Sequence, residues 1–182
     1  MNITWISGKS GYGKTKFAES VIRSFEKEDK KTCKLDCQDF VSILVKYFKN
    51  KIPLDNMASH FQKYYLLVLD DVDLSLLGKL FTQGIIKKMI EVITANNKTK
   101  VLLITQKRAR KLRKLKFDSS QCHYVRLKTP SYDFKRGLVE EWLKQEGLIV
   151  PAENIEAIIE ESDNLFQLKG LFQRTAFEKS IK

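Results

Sequence analysis

Long apolar segments are absent from this sequence of 182 residues. No run reaches the roughly eighteen apolar residues that a membrane-spanning helix needs. At the N-terminus, Lys9 and Lys14 interrupt the apolar stretch that a signal peptide would require. These absences predict a soluble, cytoplasmic protein that has no membrane partner.

Residues that form disulfides or bind metals are also scarce. The three cysteines, Cys33, Cys37 and Cys122, are odd in number and lack Cys-x-x-Cys spacing, which argues against a disulfide framework and a zinc site. His60 and His123 have no partner at ligand spacing. The 43% of hydrophobic residues is instead enough to build an ordinary apolar core.

Charge of one sign is in excess. The chain has 33 Lys and Arg against 22 Asp and Glu, which gives a formal net charge of +11. A domain this basic commonly binds a polyanion, most often a nucleic acid. A generally lysine-rich composition with no such partner is the alternative, and composition alone leaves both open.

Strand and helix patterns alternate over the first part of the chain, which is typical of an α/β domain with a parallel sheet. Strands are predicted at residues 2–6, 33–36, 65–69, 101–105 and 124–127. Between them we expect a helix after the first strand, two helices that Pro53 separates, a long amphipathic helix over 76–95 and a basic helix over 107–116.

From residue 129 onward the strand signals stop. Ser131 begins a helix that Gly147 ends, Pro151 opens a second helix, and residues 162–164 cap a third. We therefore predict an α/β domain over 1–128, in which helices flank a parallel sheet, and a small all-helical lid over 129–182.

A complete phosphate-binding motif follows the first predicted strand. The pattern G-x-x-x-x-G-K-[ST] is matched at every fixed position by Gly8, Lys9, Ser10, Gly11, Tyr12, Gly13, Lys14 and Thr15. Such a loop turns backbone N–H groups and a helix N-terminus toward phosphate oxygens. Lys14 would bridge the β- and γ-phosphates of ATP, and the Thr15 hydroxyl would ligate Mg²⁺.

Acidic and polar residues follow the next buried strands. Asp70 and Asp71 end an apolar run, where Asp70 would hold the water shell of Mg²⁺ and Asp71 would polarise the attacking water. Thr105 and Gln106 end the following strand, and a polar group there would sense the γ-phosphate. Polar residues also end strands for no such reason, so this last role is the less specific one.

Together these residues resemble the ATPase domain, of AAA+ type, of the bacterial replication initiator DnaA and its shorter relative Hda. The resemblance covers about residues 1–178 and rests on the P-loop and on four weaker segments in the same order. These are Leu-Asp-Cys-Gln-Asp-Phe (35–40), Leu-Asp-Asp-Val-Asp (69–73), the lid entry at 130–136, and Asn-Leu-Phe-Gln-Leu-Lys-Gly (164–170).

Several positions depart from that family. The lid arginine that contacts the γ-phosphate falls on Phe166, with Lys169 one turn later as an imperfect substitute. The inter-subunit arginine finger falls on Lys116, with Arg113 one turn away. A hydrogen bond to a charged group contributes about 1.5–3 kcal/mol, so two such losses weaken ATP binding on the order of a hundredfold. The resemblance therefore implies weak ATPase activity or a nucleotide-gated binder.

Two basic segments are candidates for nucleic-acid contact. In the initiator family, the helix pair that corresponds to 38–63 contacts single-stranded DNA; here it carries Lys46, Lys49 and Lys51 near aromatic residues. The second segment, 107–116, includes Arg108, Arg110 and Arg113 and is either a phosphate-contacting surface or a self-association interface.

The resemblance implies an ATP-binding protein that acts in DNA replication or its regulation through ATP-dependent association with single-stranded DNA or a replication protein. Three alternatives stay open. A helicase loader of the DnaC or IstB kind shares the same core, a small-molecule kinase uses the same P-loop, and a non-hydrolysing adaptor would explain Phe166 and Lys116.

Overall fold

A computed structural model describes residues 1–106 and 111–180, apart from the side chains of residues 74 and 178–180. The chain forms two compact units. The first, which we call the sheet unit, contains residues 1–9 and the described part of 14–127. The second, the helical unit, contains residues 10–13 and the described part of 128–182. No described helix has the length and apolar character needed to cross a membrane.

The sheet unit is built on five parallel strands in the order β2-β3-β4-β1-β5. Their bounds are β1 Ile3–Ser7, β2 Thr32–Asp36, β3 Leu66–Asp70, β4 Lys100–Thr105 and β5 Cys122–Arg126. The helices of this unit are α1 Lys14–Glu26, α2 Cys37–Lys49, α3 Leu54–Gln62, α4 Val72–Leu76 and α5 Leu80–Thr94. The prediction of a parallel sheet with flanking helices is therefore confirmed.

The sheet buries side chains on both faces, because successive residues of a strand point to opposite sides. Leu67 and Leu69 of β3 belong to the larger core, which contains Trp5 and residues of α2, α3 and α5. Leu66 and Val68 belong to the smaller core, which contains Ala18 of α1. This two-sided burial explains why the central strands consist of continuous apolar runs.

The long helix predicted over 76–95 is wrong in its first turn. The chain instead forms the short helix α4, turns through Gly78 at a φ of +81°, and begins α5 at Leu80. At this break the buried Gln83 side chain provides a hydrogen-bond partner for the last carbonyl of α4, because its Nε2 donates to the Leu76 carbonyl at 2.9 Å. An apolar pattern continues through the break, so periodicity alone did not reveal it.

The predicted basic helix over 107–116 is described only from residue 111, and Arg108 and Arg110 lie outside the described residues. Residues 111–116 form turns, not a regular α-helix, and the backbone N–H groups of Leu115 and Lys116 both donate to the Leu112 carbonyl. Leu112 and Leu115 are buried in the larger core. Burial of these two leucines holds the turn in place. The lysine-rich pattern of this segment gave no sign of the turn.

The helical unit contains α6 Tyr132–Glu146, α7 Ala152–Glu161 and α8 Leu165–Ser180. The Ser131 hydroxyl caps α6 by accepting from the Phe134 N–H, and Gly147 ends the helix in the left-handed region at a φ of 64°. Buried Lys135 donates from Nζ to the carbonyls of Ile159 and Ser162 at 3.0 and 2.5 Å, which satisfies the end of α7. The core of this unit consists of Val139, Leu143, Ile158, Ile159, Leu168 and Phe172.

Candidate nucleotide-binding site

The P-loop connects β1 to α1, as its motif requires. Gly11 and Gly13 have φ values of 78° and 82°, in the left-handed region that favours glycine. The Gly8 N–H donates to the Thr105 carbonyl at 3.2 Å, which ties the start of the loop to β4. No acidic residue stands in the first turn of α1, so nothing there opposes an anion at its N-terminus.

Lys14 is the first residue of α1, and its side chain folds back onto the loop. It is only 8% exposed, and its Nζ donates to the carbonyls of Gly8 and Lys9 at 2.8 and 2.9 Å. A phosphate oxygen would offer the ammonium a charged acceptor, which makes a stronger hydrogen bond than a neutral carbonyl does. The lysine is thus placed for the predicted contact with phosphate.

Burial and neighbouring charge have opposite effects on the pKa of Lys14. Burial lowers the pKa of the Lys14 ammonium, whereas the carboxylates of Asp71, Asp73 and Asp70 oppose that shift. A buried cation that faces three carboxylates is typical of a functional site, because burial of charge costs free energy that a purely structural position avoids.

The two residues predicted to hold Mg²⁺ lie next to each other. The Thr15 hydroxyl donates to Oδ2 of Asp70 at 3.4 Å, and Lys34 of β2 approaches the same oxygen with its Nζ at 3.6 Å. Among the side chains that the structure describes, no group of three or more His, Cys, Asp or Glu residues would hold a metal by itself. A hydroxyl and one carboxylate fit Mg²⁺, which takes its remaining ligands from nucleotide phosphates and water.

Asp71 is held in a strained conformation beside this pair. Its φ of 50° and ψ of 38° are left-handed, and its side chain makes no capping hydrogen bond at the start of α4. Burial raises the pKa of the Asp71 carboxyl, and the neighbouring carboxylates of Asp70, Asp36 and Asp73 raise it further. Residues that combine a strained backbone with a shifted pKa are frequent at functional sites. Both features are consistent with the predicted role of Asp71 in water activation.

A carboxylate of α4 lies against the end of β4, and the sequence pattern did not single it out. Asp73 is 2% exposed, and its Oδ1 accepts from the Gln106 N–H at 2.9 Å. Thr105 is fully buried; its hydroxyl accepts from Trp5 Nε1 at 2.9 Å and lies 3.4 Å from the Ile6 carbonyl. A γ-phosphate-sensing role for Thr105 stays a prediction. The Asp-Asp-x-Asp spacing was the only sequence signal for Asp73.

Residues 10–13 of the P-loop contact the start of α8 within the helical unit. The Leu165 N–H donates to the Gly11 carbonyl at 2.9 Å, and a Cβ on Gly11 would lie 2.6 Å from Asn164 Oδ1. The hydroxyls of Tyr12 and Thr129 are hydrogen-bonded at 3.0 Å. Asn164 also caps α8, since its Oδ1 accepts from the N–H groups of the first turn. The motif alone gave no sign of this contact.

The lid positions with predicted nucleotide roles are both exposed on α8. Phe166 is 72% exposed in the first turn, and Lys169 follows three residues later on the same helix face. Replacement of Phe166 would therefore remove nothing from the core. Contact of Lys169 with a nucleotide stays a prediction.

The described nucleic-acid candidates are solvent-exposed. Lys46 and Lys49 occupy the last turn of α2, where they also complement the helix dipole, and Lys51 follows at a φ of 54°. Phe48 is 43% exposed between them, whereas Tyr47 packs against the larger core. A cation-rich surface with one exposed ring is thus present on α2. Arg113 is exposed in the turn after residue 110.

Gly11→Ala is expected to lower ATP affinity by about tenfold or more, because the new methyl group must displace Asn164 and the left-handed backbone adds about 1–2 kcal/mol of strain. Isothermal calorimetry measures the affinity. Gly147→Ala is the matched control: it has a φ of 64° and no atom within 4 Å of the added Cβ. It should lower stability and leave ATP affinity unchanged, and equal losses in both variants would contradict the steric account.

Asp71→Asn is expected to raise the thermal midpoint at neutral pH. The folded-state pKa of Asp71 is raised, so its ionisation opposes folding above that pKa, and Asn removes the charge. The gain should shrink as the pH falls through the folded pKa and disappear below the ordinary value of 3.8, where the wild-type carboxyl is protonated in both states. Thermal unfolding as a function of pH measures this effect. Exposed Asp163→Asn is the control, and a gain of equal size there would refute the assignment.

No family model matches the sequence, and no curated protein matches it. Among solved structures, the replication initiator DnaA bound to AMPPCP and single-stranded DNA has a TM-score of 0.76 and 20% identity over 94% of this chain and 54% of its own. Domain III of DnaA from Thermotoga maritima has a TM-score of 0.73 and 20% identity over 99% of this chain and 78% of its own.

A DnaC helicase loader is more distant, with a TM-score of 0.54 and 18% identity over 69% of this chain and 77% of its own. The chain spans about half the length of the DnaA structure that contains single-stranded DNA. These similarities concern the fold. The chain has the AAA+ P-loop fold of the DnaA ATPase domain, as the sequence resemblance implied.

Proposed function

We propose that this chain is an ATP-binding protein of DNA replication or its regulation, which associates with single-stranded DNA or a replication protein when ATP is bound. The observation that carries the proposal is the convergence of Lys14, Thr15 and Asp70 at the carboxyl edge of one parallel sheet. These residues would hold the phosphates and Mg²⁺ of the nucleotide.

Hydrolysis is proposed to be slow. In the reaction, a water oxygen attacks the γ-phosphorus, Asp71 accepts the water proton, and the bond to the bridging oxygen breaks to release ADP. An arginine that stabilises the departing charge supplies about 10³-fold or more in rate. Phe166 and Lys116 stand where the resemblance places arginines, and both are exposed. Turnover is therefore weak, and Asp71→Asn should keep ATP bound without turnover.

Association with a partner is supported by charge and by fold. The chain carries a net charge of +11, and exposed lysines surround Phe48 at the end of α2. One structure of similar fold is DnaA with single-stranded DNA bound. A loader that binds a replicative helicase is the second candidate, since a DnaC structure shares part of the fold.

Light scattering on size-exclusion chromatography, with and without ATP and a short single strand, tests the proposal. We expect ATP to induce assembly or to increase the amount of strand that binds. A protein that stays monomeric and free of DNA in every condition would contradict the DNA form of the proposal. Capture of a purified replicative helicase in its place would favour the loader.

Phe166→Arg is expected to tighten ATP binding by about tenfold to a hundredfold, because a hydrogen bond from arginine to a phosphate contributes about 1.5–3 kcal/mol. Calorimetry with ATP and with ADP separates a γ-phosphate contact from a general charge effect. Gln173→Arg is the control, because it adds the same charge two turns further along α8, also at an exposed position. If both variants change affinity equally, the alignment of Phe166 with the lid arginine is wrong.

A further inference from the structure

The amino edge of the sheet, opposite the P-loop, carries a second set of basic residues. Parallel strands begin at one edge, and here the segments that enter β2, β3 and β4 each contain lysine. We call the following five residues the basal lysines: Lys30 and Lys31 before β2, Lys63 before β3, and Lys98 and Lys100 at the start of β4. Backbone hydrogen bonds connect two of them through Tyr65. The Tyr65 N–H donates to the Lys31 carbonyl, and the Lys100 N–H donates to the Tyr65 carbonyl, each at 2.8 Å.

Aromatic rings hold three of these five ammonium groups in place, those of Lys30, Lys63 and Lys100. Phe25 and Tyr65 pack edge to face with ring centroids 5.0 Å apart. Lys30 Nζ lies 4.5 Å and Lys100 Nζ 5.3 Å from the Tyr65 ring centroid, and both also lie within 5.8 Å of the Phe25 ring. Lys63 Nζ lies 5.1 Å from the Tyr64 ring. Cations fixed over rings lose less conformational freedom when they bind an anion than freely mobile lysines do.

Carboxylates neutralise little of this charge. Glu28 pairs with Lys30 at 2.5 Å, and Glu26 accepts from the Thr32 hydroxyl. Among the side chains that the structure describes, no carboxylate lies within ion-pair distance of the other four basal lysines. Two cations are moreover held against the same phenol ring. Of these two, Lys30 is paired with Glu28, whereas Lys100 has no carboxylate partner among the described side chains. Such an excess of positive charge is typical of a surface that binds an anion.

The form of the surface indicates which anion. The basal lysines follow three neighbouring strands about 4.8 Å apart, so they form a row and not a closed pocket. Their aromatic neighbours are half-buried and already face ammonium groups, which leaves them poorly placed to stack on bases. Protein interfaces are depleted in lysine at their centres, whereas a linear polyanion needs only a row of cations.

We propose that the basal lysines bind the phosphate backbone of nucleic acid without base preference and without any requirement for nucleotide at the P-loop. This contact lies on the opposite edge of the sheet from Lys14 and Asp70 and does not depend on the proposed ATP-gated association. A strand bound here would stay bound when ATP is absent, and ATP would then control only the second contact.

Fluorescence anisotropy with a labelled single strand of mixed sequence tests this proposal, with Lys14→Ala as the background so that no ATP-dependent component contributes. The slope of log K against log[salt] is about −0.7 per phosphate contact. Combined replacement of the exposed Lys31, Lys63 and Lys98 by Gln should flatten that slope by roughly two units. All three side chains are exposed, so the replacements should not disturb the core, and circular dichroism checks that the variant is folded.

The matched control replaces Lys88, Lys128 and Lys144 by Gln, which removes the same charge from exposed positions elsewhere. The control should keep the slope of the background protein. An unchanged slope in the basal variant, or equal flattening in the control, would overturn the proposal. Competition provides a further check: polyphosphate should displace the strand, and equal displacement by polyglutamate would assign the surface to an acidic protein and contradict a nucleic-acid site.

Discussion

The contact of the Lys14 ammonium with the P-loop carbonyls is the interaction around which the site is arranged. Burial makes the charge costly, and three carboxylates from the end of β3 and from α4 offset that cost. Burial raises the pKa of the Asp71 carboxyl, and the carboxylates of Asp70, Asp36 and Asp73 raise it further. The carboxylates repel one another and are each attracted to the Lys14 ammonium. This attraction helps to hold the loop, β3 and α4 in position. Binding of a phosphate group would replace neutral acceptors of Lys14 with charged ones.

The parallel sheet brings this set together and also separates two chemistries. All five strands run in one direction, so their carboxyl ends carry the carboxylates and the P-loop, and their amino ends carry the basal lysines. The proposed site for Mg²⁺ and nucleotide phosphates lies at one edge, and the proposed polyanion surface lies at the other. A single chain direction would thereby let the two proposed contacts operate without competing for the same surface.

Much of this could be predicted from the sequence because the relevant signals are local. The P-loop motif, the apolar strands and the caps at Ser131 and Gly147 depend on neighbouring residues and were confirmed in the structure. The break at Gly78 was missed because the apolar pattern continues through it. The roles of Asp73, the Thr105 hydroxyl and the Gly11–Asn164 contact depend on residues that are distant in sequence, and periodicity contains no such information.

Calorimetric titration of Mg²⁺-ATP into the wild-type protein and into Lys14→Ala is the most direct measurement of the central claim. The account predicts saturable binding to the wild-type protein that is lost in a Lys14→Ala variant whose circular dichroism shows the native fold. Equal affinity in the two folded proteins, or no binding to the wild-type protein, would contradict the assignment of the P-loop as an ATP site.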